Sequence, residues 1–496
     1  MRHFLTFGLF LCFAFVTHSQ YWDSIGRFSS PPTKYYYDTL DDRLYVAGGY
    51  YWYDSSEIHG FGYYESDTLY GLGCGFERPG LPPCQYGRPW SGSLAVVHDM
   101  VRFKGVLYAT GSFTYAGGQM VNGIAKWGAT DWEPLGRGLT LWGPNGTSLG
   151  DGIGYGFEIY QDTLYLFGAF DTINDKEAFG VAKFDGSTWF PVGLPRFDTA
   201  VFTNPNLIMA AKWYQGELYI GGGFYWTGIS PPIYGLAKWN GSAVVNVDKG
   251  ITSSGAGGDD IYDIDIFQGE LIVAGRFDDV KDPGSIPGIR ITAWNGSSWN
   301  NMRGGLGTPL TSATVYDVFV TNDALYAVGK FNSAGGLPCI NVAKWDGAKW
   351  CVPDSAGMDM DNGFIYDVAR FEDSLYIGGP YYHMDNNAAY RYAARLVGDI
   401  EFLCQPPLSS EKGKTVPDVT VFPNPVSGKL YIRSEAGIIY EANIYDIQGR
   451  KTGTGTGTGT GNAREVEINF ENIPPGMYVV EVRTGDGITR RKVVRE

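Results

Sequence analysis

Polar and apolar residues alternate in short runs along most of the chain. "IYDIDIF" (261–267) is one such run, and "LIVAGRF" (271–277) follows it after the turn pair Gln268-Gly269. Alternation of this kind, bounded by Gly, Asn and Asp, predicts β-strands joined by tight turns. The unit continues with a third strand over 290–294, an Asn295-Gly296 turn and a fourth strand around Trp299. Asp185-Gly186, Asn240-Gly241 and Asp346-Gly347 fill the same turn elsewhere. These dipeptides supply the positive φ values that hairpin turns require.

The unit repeats. Aligned on its second strand, the chain reads "LYVAGGY" from Leu44, "LYATGSF" from Leu107, "LYLFGAF" from Leu164 and "LYIGGGF" from Leu218. It then reads "LIVAGRF" from Leu271, "LYAVGKF" from Leu325 and "LYIGGPY" from Leu375. Seven copies at steps of 50–63 residues signal a repeat architecture. A phosphate-cradling glycine loop would occur once and lead into a helix, and no helical pattern follows any copy. Four antiparallel strands per copy predict an all-β fold, with a seven-bladed β-propeller over 20–404. The glycines of "LYIGGGF" are expected to end a second strand where neighbouring sheets leave no room for a side chain. The last copy has a third strand at 392–399 but no good fourth, and "IEFLC" after it fits poorly. "YWDSIG" (21–26) matches the fourth strands "WEPLG" (132–136) and "WFPVG" (189–193). The N-terminus is therefore expected to complete the final blade and remove two sheet edges. The blade pattern resembles kelch and galactose-oxidase-like propellers over about residues 21–404. That resemblance speaks to fold only, because propellers host unrelated functions.

The first 19 residues have a basic start at Arg2, an apolar run from Phe4 to Val16, and small residues Thr17 and Ser19 before the expected cut. This is a secretory signal peptide pattern, too short for a membrane span. No later apolar run is long enough to cross a bilayer. A net charge of −15 argues against a nucleic-acid or anionic-membrane partner. Export permits disulfides. Cys74–Cys84 would close a Gly/Pro-rich loop, Cys339–Cys351 would staple a hairpin, and Cys404 is left over, though five thiols fix no connectivity.

Beyond a polar linker (405–416), the pattern changes to "VTVFPNPVSGKLYI", "ANIYDIQGR", "INFENIPPGMYVVEV" and "ITRRKVV", which reads as a small Ig-like β-sandwich over 417–496. The four segments resemble the type A C-terminal sorting domain of the type IX secretion system of Bacteroidota. The resemblance rests on Pro423-Asn424-Pro425, Tyr445-Asp446, Gly449-Arg450, Gly476 with Tyr478, and the basic last strand with Lys492. It implies a secreted cargo that engages the type IX translocon and a sortase-like protease, then is released or attached to the outer-membrane surface. "GTGTGTGTG" (453–461) departs from the family pattern and is expected to be a flexible loop.

Candidate chemistry is sparse. Of five His, His3 and His18 leave with the signal, and His59, His98 and His383 fall on different blades without ligand spacing. "FDGSTWF" (184–190) lacks a residue that the sialidase Asp-box needs and reads as a turn. Asp99, Asp263, Asp317 and Asp367 each lie eight residues before the repeat Leu. Two readings are open for them: a structural cation such as Ca2+ in the central channel, or backbone hydrogen bonds to the neighbouring blade. No other cofactor is indicated. Aromatic clusters after second strands make Tyr51, Trp52, Tyr53, Tyr225, Trp226, Tyr382 and His383 candidates for stacking on a glycan or a protein at one rim. The competing role for these rings is core packing. The expectation is a non-catalytic binding or scaffold protein, and the alternative is a carbohydrate-active enzyme built on paired carboxylates.

Overall fold

A computed structural model of the chain describes residues 21–404 and 419–496 apart from short stretches, the longest of them 78–94, 197–206, 281–289, 354–362, 383–390 and 456–464. The signal segment, the linker, Cys84, Tyr51, His383, Gly449 and Arg450 lie outside the described residues. Two compact units, Met1–Gln405 and Pro406–Glu496, divide the chain.

In the first unit, seven antiparallel sheets of four or five strands, one per repeat, follow one another among the described residues, and an eighth four-stranded sheet of short strands (Leu139–Trp142, Ser148–Asp151, Thr172–Ile173 and Lys176–Glu177) lies between repeats. Their first strands are Pro32–Asp38, Val96–Phe103, Ile153–Tyr160, Ile208–Tyr214, Asp260–Phe267, Thr314–Val320 and Asp367–Phe371. Each first strand packs beside the first strand of the next sheet, and the seventh packs beside the first. The apolar cores lie between successive sheets. One joins Tyr376 and Ala393 of the seventh sheet to Leu44, Val46 and Tyr64 of the first. The seventh sheet takes its fourth strand, Tyr21–Asp23, from the N-terminus, with Trp22 opposite Leu396. Arg395 Nη2 donates to Asp23 Oδ2 across that edge at 2.7 Å.

Turns and glycines follow from backbone geometry. Gln268 and Gly269 join facing residues Phe267 and Glu270 with φ of 50° and 82°, the left-handed pair of a two-residue hairpin. At the third turn, Asp185 Oδ1 accepts the N–H groups of Ser187 and Thr188 at 2.7 and 2.8 Å. In "LYIGGGF" a Cβ on Gly222 would meet the Leu207 carbonyl at 2.0 Å, and one on Gly221 would meet the Ile261 side chain of the next sheet at 2.4 Å. The crowding is as expected, but the glycines do not end the strand, which runs from Glu217 to Trp226 past an irregularity between Gly221 and Tyr225.

The disulfide expectation needs correction. Cys339 is a free, buried thiol in the core between the fifth and sixth sheets, and burial pushes it up to about 12. Cys351 is disulfide-bonded and so is Cys74. Strand Phe402–Cys404 adds a fifth strand to the sixth sheet and sets Cys404 directly opposite Cys351.

The second unit has a three-stranded and a four-stranded antiparallel sheet around one apolar core that includes Leu430, Ile432, Ile444, Phe470, Val480 and Val493. Residues 453–455 of the Gly-Thr tract are not a loop. They end strand Lys451–Gly455, where Gly453 faces Ile444, because the alternation of Thr and Gly suits a pleated edge.

Candidate functional site

The first strands of all seven sheets line one cavity of about 650 Å³. Register explains which residues enter it. The residue facing position Leu+3 of each copy is Lys34, Asp99, Gly156, Ala210, Asp263, Asp317 or Asp367. In the first six sheets the preceding residue is an extra one in the ladder. Such a bulge lets adjacent side chains face the same side. Hence Tyr262 and Asp263 both line the cavity, as do Tyr316 and Asp317, and His98 and Asp99. Tyr155 and Tyr366 complete an aromatic belt. Ring centroids are 4.8 Å apart for His98 and Tyr155, 5.2 Å for Tyr262 and Tyr316, and 5.6 Å for Tyr316 and Tyr366. The belt lies where first strands begin, and Gly49 and Pro380, just past second strands, line the same cavity.

The four aspartates bond the ring together. Asp99 accepts the Phe157 N–H at 2.8 Å, and Asp263 the Val318 N–H at 2.8 Å. Asp317 accepts the Val368 N–H at 3.1 Å, and Asp367 the Tyr35 N–H at 2.6 Å. Every one of these bonds reaches the first strand of the next sheet. Lys34 Nζ lies 2.8 Å from Asp367 and 4.0 Å from Asp99. Lys212 pairs with Asp265 at 3.0 Å and with Glu158 at 3.2 Å. Among the described residues no group of three or more His, Cys, Asp or Glu is placed to hold a metal ion.

Burial, then the charge of Asp265, pushes the Asp263 carboxyl up to about 6 from its ordinary 3.8. Burial and then Asp367 raise Asp317 well above the carboxylate range. Burial works against the Lys34 ammonium, but Asp367, Asp317 and Asp99 outweigh it and raise that group. A carboxyl that holds its proton more tightly when folded favours the folded state below the unfolded value, and this advantage is lost as pH rises through the folded value. The stability of the wild type relative to Asp263→Asn is therefore expected to fall by about 2–3 kcal/mol between pH 4 and 7. Urea midpoints at the two pH values measure it, and a pH-independent difference contradicts it.

The rim candidates divide. Tyr53 is a core residue, 6% exposed, whose hydroxyl donates to the Ile25 carbonyl at 2.7 Å. Trp52 lies in strand Trp52–Tyr53, Tyr225 lies in strand Glu217–Trp226, and Trp226 is half-buried. Tyr382 is 63% exposed, its ring 5.7 Å from that of Tyr392 and 5.3 Å from the Arg391 guanidinium. The belt inside the cavity belongs to first strands, so aromatics that follow second strands do not reveal it. Its signal in the sequence is an aromatic nine residues before the repeat Leu in six copies, of which Tyr35 in the first copy stays outside the cavity because the first hairpin turn there is two residues longer.

In the second unit, the sorting residues meet at the last strand. Asn424 Nδ2 donates to the Lys492 carbonyl at 2.9 Å, and Asn424 Oδ1 accepts the Val494 N–H at 2.9 Å. Tyr478 donates to the Pro474 carbonyl at 2.7 Å, and the Lys492 side chain is exposed. Tyr445 and Asp446 lie in strand Ile439–Asp446, with Asp446 facing Tyr478, and Gly476 opens the strand that pairs with the last one. Residues 420–496 match the family described as the secretion system C-terminal sorting domain. The C-terminal unit is a type IX secretion sorting domain. The sorting domain marks the chain as a cargo exported to the extracellular space or cell surface. Among the described residues no helix is long and apolar enough to cross a membrane.

No curated protein matches the chain. Among solved structures it is similar to a fungal alcohol oxidase of the AA5 family in complex with copper, 11% identical over 95% of this chain and 100% of that one, with a TM-score of 0.38. It is also similar to YjhT, 15% identical over 68% of this chain and 96% of that one, with a TM-score of 0.26. A third is Bacteroides ovatus xyloglucan PUL GH43B, 10% identical over 80% and 89%, with a TM-score of 0.21. These likenesses assign no activity.

Proposed function

We propose that the seven-sheet ring is a seven-bladed β-propeller and the second unit an Ig-like sandwich. The mature protein, freed of its signal at 1–19, is then a non-catalytic glycan-binding protein that the translocon and a sortase-like protease deliver to the surface. The observation that carries this reading is the aromatic belt of His98, Tyr155, Tyr262, Tyr316 and Tyr366 inside a concave cavity. Rings on successive strands offer faces on which a sugar stacks, and the volume lies in the roughly 300–1,000 Å³ range of small-ligand pockets. A protein partner would need a flatter surface.

The raised carboxyls of Asp263 and Asp317 favour the enzymatic alternative, since a general acid needs such a shift. Against it, both oxygens of Asp263 already accept backbone N–H groups, from Ile264 and Val318. A glycan array probed with the mature protein, followed by a hydrolysis assay on each bound glycan, is expected to give binding without turnover. Turnover that Asp263→Asn abolishes would establish the enzyme instead, and an array without hits would overturn the binding reading.

A further inference from the structure

The charges in the cavity do not balance. Six carboxylates, Asp99, Glu158, Asp263, Asp265, Asp317 and Asp367, line it with two lysines, Lys34 and Lys212. Both lysines are committed, Lys34 to Asp367 and Asp99, Lys212 to Asp265 and Glu158. Among the described residues, Asp263 and Asp317 hydrogen-bond only to backbone N–H groups. They stand on adjacent strands, each directly after a belt tyrosine, Tyr262 or Tyr316. The two rings are 5.2 Å apart and edge to face.

We infer that the cavity selects a cationic sugar, a glycan bearing a free primary ammonium, which Tyr262, Tyr316, Asp263 and Asp317 recognise together. This rests on the glycan-binding reading of the same cavity. An ammonium attracts the negative face of an aromatic ring and forms charge-assisted hydrogen bonds with a carboxylate. Each carboxylate oxygen has lone pairs beyond the one that accepts a backbone N–H. Lys34 acts on Asp263 and Asp317 only from a distance, so the cation gives them a direct ion pair and stabilises their ionised forms against burial, while the ring carbons of the sugar cover the remaining tyrosine faces. A neutral hexose gains the stacking and hydroxyl hydrogen bonds but no ion pair. An N-acetylated amino sugar loses the charge and adds bulk.

Calorimetric titration of the mature protein with a glucosamine trimer, an N-acetylglucosamine trimer, a glucose trimer and pentalysine tests the inference. The work is done at low salt and near pH 7, above the value of about 6 to which Asp263 is raised, where a large share of the amines is still charged. The glucosamine trimer is expected to bind at least about tenfold tighter than any other probe. Most of that advantage is lost in about 0.5 M salt or in Asp317→Asn. Equal binding of the three trimers overturns charge selection and leaves the glycan reading standing. Equal binding of pentalysine shows that charge alone is read and overturns selection of a sugar. If no trimer binds while neutral glycans bind on the array, the inference alone fails. If the array is blank too, the glycan reading fails with it.

Discussion

A chain lacking residues 21–28 is expected to lose about 5 kcal/mol or more of the stability of its first unit. These residues close the ring. Tyr21–Asp23 is the outermost strand of the seventh sheet, and without it strand Ala393–Val397 becomes a bare edge that can pair with other chains. Ile25 and Phe28 are 3% and 2% exposed in the core between the seventh and first sheets. Deleting side chains so buried costs roughly 2–5 kcal/mol each. The Ile25 carbonyl accepts from both Tyr53 and Tyr64, at 2.7 and 3.1 Å. Two buried hydroxyls would lose that partner, at roughly 1–3 kcal/mol apiece. Denaturant unfolding of the truncated and intact proteins measures the loss. An unchanged midpoint would show that the N-terminus does not close the ring.

Removal of residues 420–496 is expected to leave the first unit folded and held in the periplasm. The second unit has its own core, built from residues 419–493 alone, and the cores of the seven sheets include no residue of it. What is lost is the sorting signal. Its Pro-Asn-Pro motif is tied to the last strand by two hydrogen bonds through Asn424, which holds motif and C-terminal strand side by side. Fractionation of the native host followed by limited proteolysis reads out both location and fold. Surface delivery of the truncated chain at the wild-type level would contradict the assignment.

Local rules make much of this legible. Turn dipeptides, a repeating Leu with its glycines, and an unpaired third strand in the last copy place strands and predict the N-terminal partner. The four aspartates emerge because six of the seven copies have two-residue first turns, which fix the spacing of eight. Lys34 escapes the same rule. Its hairpin turn spans the four residues Thr39–Asp42, so Lys34 lies ten residues before Leu44 yet occupies the aspartate slot. Tyr262 and Tyr316 escape because strict alternation sends neighbours of the aspartates to the opposite face. Bulges bring them back to the cavity, and the matching glycines in the second strand signal only crowding to a reader of the sequence. Tyr53 passes for a rim residue because nothing in "YYWY" tells which ring turns inward. Proximity in sequence favours Cys339 as the partner of Cys351, whereas the fifth strand of the sixth sheet is a long-range pairing.

We place ligand binding, as proposed, in the aromatic belt of the cavity. The most direct test is the affinity of Tyr316→Ala for a glycan bound by the wild type, with Tyr382→Ala on the rim as the comparison. Tyr316 packs against Tyr262, Phe364 and Tyr366, so its removal opens the centre of the belt. Binding at least about tenfold weaker is expected for Tyr316→Ala, with little change for Tyr382→Ala. Wild-type affinity in folded Tyr316→Ala, with binding lost in Tyr382→Ala, would contradict that placement.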